Sequence, residues 1–390
     1  MLSDFSELVT LLSGRDLESN DCNSNREGIP YLIGASNIVD GKINITRWTT
    51  KPLVISKRGD ILISCKGTIG EVVTNVIGEI HIARQFMAIQ TSPMVYADYI
   101  ELYIKSIVNN IKRNARGVIP GISREDILHR EIALPPLEEQ KRIVIEVEKW
   151  LDFIADIEAE KDELESHIKK TKSKILDLAI SGKLVPRDPD DEPAIELLKR
   201  INPDFEPCDN SHYENLPENW CLAKVKDVFV INPRNKAEDN TIAGFIPMTL
   251  IDDGYSNTFS YEKREWGSIK TGFTHFADGD VAVAKISPCL ENRKSIVLRD
   301  LPNGIGAGTT ELHVFRSSVV VPEYALYFFK SEYFISKCVG TFNGVVGQQR
   351  VGKNIIEETQ IPIPPINEQT KIVSTIETIF TQLNTITAEL

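Results

Sequence analysis

At 390 residues the chain exceeds one ordinary hydrophobic core, so two or three domains are expected. Apolar content is 42%, no apolar run approaches the roughly 20 residues of a membrane span, and the opening MLSDFSELVT has no basic leader; a cytoplasmic chain without membrane contact is expected. A net charge of −12 and six scattered cysteines without a C-x-x-C argue, taken globally, against nucleic acid, disulfides and a zinc site.

Residues 1–131 read as an α+β domain, with short β-rich runs such as Ile61-Leu62-Ile63 after Gly59-Asp60, and Phe86 to Ile89. A helix is predicted over Tyr99 to Ile111, with Tyr99, Leu102, Tyr103, Ile107 and Ile111 on one side. Residues 132–206 form a central long helix and linker, opening IALPPLEEQKRIV. Val147, Ile154, Lys161, Ile168 and Ile175 alternate there with Trp150, Ile157, Leu164, Thr171 and Leu178 as a heptad seam. Pro135 and Pro136 suit the approach to a helix, Glu138 and Glu139 its first turn, and Gly182 the left-handed position past its end. Val185 to Pro193 is a Pro- and Asp-containing loop, and Ala194 to Ile201 a short helix. Trp220 starts the second globular block, within residues 207–360, and residues 361–390 form a C-terminal helix.

The end of the chain repeats its middle. IPIPPINEQTKIV from Ile361 keeps Pro135 as Pro364, Pro136 as Pro365, Glu139 as Glu368 and Gln140 as Gln369, and Ile376, Ile379, Leu383 and Ile386 continue its seam. The blocks repeat too: Gly279-Asp280 answers Gly59-Asp60, Asp227-Val228 answers Glu7-Leu8, Ile246-Pro247 answers Ile29-Pro30, and YALYFFKS from Tyr324 answers YIELYIKS from Tyr99. An internal duplication follows, with the long helices packed as an antiparallel coiled coil and a pseudo-two-fold repeat. The first block starts near the equivalent of Asp227, so either its opening strand is missing or the scaffold closes differently. Charge is distributed unevenly: the first block balances 15 basic against 15 acidic residues, whereas residues 132–206 carry 12 against 19. Acid lies on the helices and linker, and the near-neutral blocks hold local basic runs.

Catalytic spacings occur only by coincidence. Gly347 to Lys353 has the spacing of a phosphate-binding loop, but Asn354 stands where a hydroxyl should hold magnesium. Gly67-Thr68-Ile69-Gly70 reads as a turn, and the nuclease-like set Asp126, Glu139 and Lys141 loses its lysine to Thr370 in the second copy. An amino-methylating enzyme needs a glycine fingerprint and an N-P-P-aromatic loop, and Asn232-Pro233-Arg234 is the nearest approach. The chain therefore reads as non-catalytic. A diverged single-chain restriction or modification enzyme, and a coiled-coil adaptor for protein or carbohydrate, are the alternatives.

LPPLEEQKRIV at Leu134, AISGKLVPRDPDDEPAIELLKRI from Ala179, LPENW at Leu216 and IPPINEQTKIV at Ile363 together resemble the specificity (S) subunit of type I DNA restriction-modification systems. The resemblance implies two target recognition domains, each reading one half of a split double-stranded DNA target, alternating with helices that hold the halves apart. It implies docking of two methyltransferase (M) subunits, with endonuclease/translocase (R) subunits joining through them. S-adenosylmethionine, ATP and magnesium are then expected only on those partners, with no metal or cofactor here. Arg and Lys suit phosphates or guanine, and Asn and Gln suit adenine. On that chemistry the expected DNA contacts are Lys66, Arg84, Gln85, Lys112, Arg113, Asn114, Arg116 and Arg124 in the first block. In the second they are Lys285, Asn292, Arg293, Lys294, Gln348, Gln349, Arg350 and Lys353, of which VVGQQRVGK resembles a family loop. The coiled-coil and partner residues are expected to be Val147, Trp150, Ile154, Ile157, Leu164, Ile168, Ile376, Ile379, Leu383 and Ile386.

Overall fold

The computed structural model describes residues 2–114, 121–209, 216–341 and 349–389. The chain forms two compact units, Met1–Glu158 and Ala159–Leu390.

In the first unit, a four-stranded sheet takes the order Val9–Ser13, Phe86–Thr91, Ile61–Ser64, Val72–Thr74. A second sheet takes the order Arg47–Thr49, Ile29–Leu32, Ile80–Ile82, Ile55–Ser56, with Ile29–Leu32 and Ile80–Ile82 parallel. The strand Ile61–Ser64 shows why these layers stack. Side chains alternate along a strand, so Ile61 and Ile63 enter the core shared with the helix Ala97–Asn114, while Leu62 enters the core with Leu32, Ile80 and Ile82 of the other sheet. A strand covered on both faces has no polar alternation to show, and all four of its residues are buried. The helix is longer than expected and its stripe is rotated by one position: Ile100, Ile104, Val108 and Ile111 are buried. Tyr99 and Tyr103 flank that face, and Leu102 is half-buried.

The second unit repeats this topology strand for strand. One sheet runs Val230–Ile231, Leu312–Arg316, Val281–Ala284, Ser295–Val297, and the other Glu262–Glu265, Ile242–Ile246, Ile305–Gly308, Thr274–Ala277. The parallel pair recurs in Ile242–Ile246 with Ile305–Gly308. Val281 and Val283 face the core of the helix Pro322–Lys330, and Ala282 and Ala284 face the opposite sheet. The Gly-Asp turn is a repeated device. Gly59 and Gly279 both take positive φ, and the Asp60 and Asp280 carboxylates accept backbone N–H donors from Lys57 and Ala277, at 2.8 and 2.7 Å. The sheet registers align Leu32 with Ile246, so Ile246-Pro247 is not the counterpart of Ile29-Pro30. The opening strand of the first block is present. Leu2–Asp4 pairs antiparallel with Glu131–Ala133, as Cys221–Lys224 pairs with Gln360–Ile363.

The central helix runs over Leu137–Ile180 and the C-terminal helix over Ile366–Glu389. Gly182, at φ +69°, closes the central helix: Lys183 N–H donates to the Leu178 carbonyl at 2.9 Å and Gly182 N–H to that of Ala179 at 3.3 Å. In the second unit the two helices pack antiparallel. Lys172 Nζ donates to Asn384 Oδ1 at 2.5 Å and lies over the Phe380 ring, while Ile175, Leu176 and Ala179 share a core with Ile372, Ile376 and Phe380. Ile168 and Ile376 are buried, and Ile379 and Leu383 half-buried. The expected seam is corrected over its other half. Trp150, Ile154, Ile157 and Leu164 are exposed at 55, 48, 49 and 37%, Val147 is half-buried, and Ile386 is 43% exposed. The physical reason is that a heptad pattern records only apolar periodicity along one helix, and periodicity places no neighbour against it.

Candidate nucleic-acid interface

Three chain segments meet at the same point of each block. In the first, Lys66 and Gly121 form an isolated bridge, Ile122 N–H donates to the Cys65 carbonyl at 3.0 Å, and Cys65 N–H donates to the Gln85 carbonyl at 2.7 Å. In the second, Ile286 and Arg350 form the bridge, Val351 N–H donates to the Lys285 carbonyl at 3.0 Å, and Lys285 N–H donates to that of Glu311 at 2.9 Å. The backbone is shared and the side chains are not. Lys66, Gly121 and Gln85 stand where the second block has Ile286, Arg350 and Glu311.

This junction gathers several of the expected residues. Lys66 is exposed on the loop that ends at Gly70, and the stem of Lys112 lies so close over Gly70 that an added Cβ would meet Lys112 Cε at 2.1 Å. Arg113 is exposed one residue on, and exposed Arg84 ion-pairs with Asp16 at 2.7 Å. In the second block Arg350 makes a two-pronged bond to Glu311, 2.8 Å from each carboxylate oxygen. That bond holds the Glu311 carboxyl below the usual range against the opposing effect of burial. Gln349 presents its carbonyl to Ser287 N–H at 2.8 Å, and Asn292 is exposed. Lys285 lines a cleft of about 320 Å³ with Asn232, Arg234, His275 and Thr310. Arg234 was missed by sequence reading because nothing in its local pattern ties it to Lys285; the sheet alone unites them.

Other expected residues are committed to the fold. Arg124 Nη1 donates to the Leu11 carbonyl at 2.7 Å and to Ser13 Oγ at 3.2 Å. Arg293 is buried, its guanidinium bonded to the Lys330 carbonyl at 3.0 Å and to Glu332 at 2.6 Å. Lys294 Nζ donates to the Ile251 carbonyl at 2.5 Å and pairs with Asp253 at 3.3 Å. Lys353 is instead exposed, and its pair with Glu357 at 2.8 Å lies at the surface. Arg116, Gln348 and the side chain of Asn114 lie outside the described residues. Among the described residues no group of three His, Cys, Asp or Glu is placed to hold a metal ion, and no helix is long and apolar enough to cross a membrane.

Two copies of one layered domain, each followed by a long helix and each carrying different side chains at one shared loop junction, define an internally duplicated protein of alternating α+β domains and long helices. The family model for the type I restriction modification DNA specificity domain matches residues 2–166 and 217–390. The chain belongs to that family. It is 40% identical over 227 residues to the type I restriction enzyme EcoEI specificity subunit of Escherichia coli, an alignment covering 53% of this chain and 38% of that protein. The matched stretch is thus well under half of that relative's length. Among solved structures, the fold is similar to a chain from a type I R-M system assembly, with TM-score 0.68, 15% identity and coverage of 100% of this chain and 92% of that one. It is also similar to the HsdS subunit from Thermoanaerobacter tengcongensis, with TM-score 0.58, 16% identity and coverage of 100 and 91%.

Proposed function

We propose that this chain is the DNA sequence-specificity subunit of a type I restriction-modification complex, non-catalytic itself, binding a split double-stranded target through its two blocks. The observation that carries this reading is the shared three-segment junction, identical in backbone connectivity and different in side chains. One scaffold with two sets of exposed polar groups is what two different half-targets require, since base edges are read by side chains while the frame only positions them. The DNA contacts assigned to it are Lys66, Arg84, Gln85, Lys112 and Arg113 in one block, and Lys285, Gln349 and Arg350, joined by Arg234, in the other.

The central helix supports the partner side of the reading. Its stretch around Trp150 to Ile157 exposes Trp150, Leu151, Phe153, Ile154 and Ile157, interleaved with Asp152, Asp156 and Glu158. An exposed apolar stripe edged by acid suits a protein partner with a basic rim, and two methyltransferase subunits are the partners assigned to these helices, with endonuclease/translocase subunits joining through them. S-adenosylmethionine, ATP and magnesium belong to those partners in this scheme.

The test is the adenine methylome of cells with and without the chain, read by long-read sequencing. Loss of methylation at a motif of two short parts around a fixed spacer is the expected result. Methylation that does not depend on the chain, in cells whose methyltransferase co-purifies with it, would sink the proposal.

A further inference from the structure

The repeated PP-x-x-EQ stretch contains one side chain that makes the same two contacts in both copies. Gln140 Oε1 accepts from Tyr96 N–H at 2.8 Å, and its Nε2 donates to the Pro135 carbonyl at 2.9 Å. Gln369 Oε1 accepts from Val321 N–H at 2.7 Å, and its Nε2 donates to the Pro364 carbonyl at 3.0 Å. Each amide, itself in the first turn of a scaffold helix, thus ties the residue at the start of a domain helix to the proline two residues before that scaffold helix. Both are sealed from water, at 1 and 0% exposure. A tyrosine adds a second tie beside each: Tyr99 Oη donates to the Ala133 carbonyl at 2.6 Å and Tyr324 Oη to the Pro362 carbonyl at 2.7 Å. The neighbouring glutamates behave differently. Glu139 pairs with Arg142 near the surface, whereas Glu368 is buried and its carboxyl is pushed up, chiefly by that burial.

We propose that Gln140 and Gln369 are positioning residues that fix the angle between each recognition domain and the scaffold helix following it, and through that angle set how strictly target spacing is read. The inference rests on the DNA-recognition reading above. Apolar packing of Ile100, Ile104 and Val108 holds the first domain together whatever that angle is, because such packing has no direction. Hydrogen bonds do have direction, and a carboxamide is the side chain of this reach that offers one acceptor and one donor at its tip. Glu would keep the bond from Tyr96 N–H and lose the one to Pro135; Met would lose both.

The experiment uses the full chain co-expressed with its methyltransferase subunits, as wild type, Q140M, Q140E and Q369M. The first readout is the distance distribution between spin labels at the exposed positions Arg58 and Asp152, with Cys22, Cys208 and Cys289 replaced by serine. A narrow distribution is expected for wild type and a broader one for Q140M, with Q140E between them. The second readout is methylation of plasmids carrying the wild-type split motif with its own spacer, or with one base pair added or removed. Losing the tie is expected to cut the preference for the native spacer by about tenfold in Q140M and in Q369M. A merely structural defect would lower methylation of all three plasmids alike and leave that ratio unchanged. An unaltered distance distribution, or an unaltered ratio, overturns the proposal. If wild type methylates no split motif, the DNA reading falls instead, and the label distances still decide whether the joint is fixed by Gln140.

Discussion

Arg350 and Lys330 illustrate how far a residue's role depends on what it touches. Arg350 is exposed and holds Glu311 in a two-pronged bond, so DNA would have to compete with that carboxylate or use the pair as one unit. Arg350→Ala is expected to weaken binding to the cognate duplex by about tenfold to a hundredfold and to relax preference at one base position, measured by fluorescence anisotropy of the assembled complex. Uniform weakening across sequences would make it a phosphate contact. Lys330 is buried, with Nζ donating to the Gly254 and Arg293 carbonyls at 2.7 and 2.8 Å. Burial pulls its pKa down to about 7. Above that pH the folded state holds a neutral amine while the unfolded chain stays protonated to about 10.4, so the unfolded state binds more protons in that window. Stability of the second unit should therefore rise with pH from about 7 toward 10, and the gain should be lost as pH falls back to 7. Lys330→Met is expected to flatten that slope in urea titrations; the same slope in both proteins would discount Lys330 as its source.

Among the elements, the helices divide into a half that stabilises and a half that is presented. Ile376 is fully buried in the core with Leu176 and Phe380, so Ile376→Ala is expected to cost about 2 to 5 kcal/mol in denaturant unfolding. Ile157 is 49% exposed, and Ile157→Ala should stay within about 0.5 kcal/mol of wild type. If the stripe docks a methyltransferase, the same Ile157→Ala chain should recover less of that subunit in co-purification. Full recovery with a Trp150→Ala, Ile157→Ala double variant would remove the stripe as the docking face. The short strands make a different point. Asp60 accepts from Gln90 Nε2 at 3.1 Å, and Asp280 from Arg316 Nη2 at 2.8 Å, so one buried acid of the repeat takes a neutral partner in one copy and an ion pair in the other.

Duplication is the property of the whole molecule from which modularity follows. The two blocks share strand order, one parallel pair and the loop junction. Replacing residues 1–131 by the corresponding block of a relative with a different target should change one half of the methylated motif and leave the other half and the spacer as they were. A change in both halves would show that the blocks do not read independently.

Much of this was legible from residues alone. The PP-x-x-EQ repeats, the Gly-Asp turns and the Tyr99 and Tyr324 helices exposed the duplication because each rests on local chemistry: a helix start, a positive-φ turn, a tyrosine one helical turn from an anchoring amide. The heptads were real as a pattern, but a pattern cannot say how much of it finds a neighbour, and only the packing separated buried Ile168 from exposed Ile157. The candidate interface was least legible. Arg124, Arg293 and Lys294 have the same chemistry on paper as Lys66 and Arg350, and the tertiary structure sends the first three to carbonyls and carboxylates of their own chain. Local sequence therefore determined the repeat, the start and stop of the central helix and the family, since short-range sterics and periodicity act within a few residues. The partition of charged side chains between fold and surface was decided only when strands distant in sequence came together, because hydrogen-bond partners are assigned by distance in space.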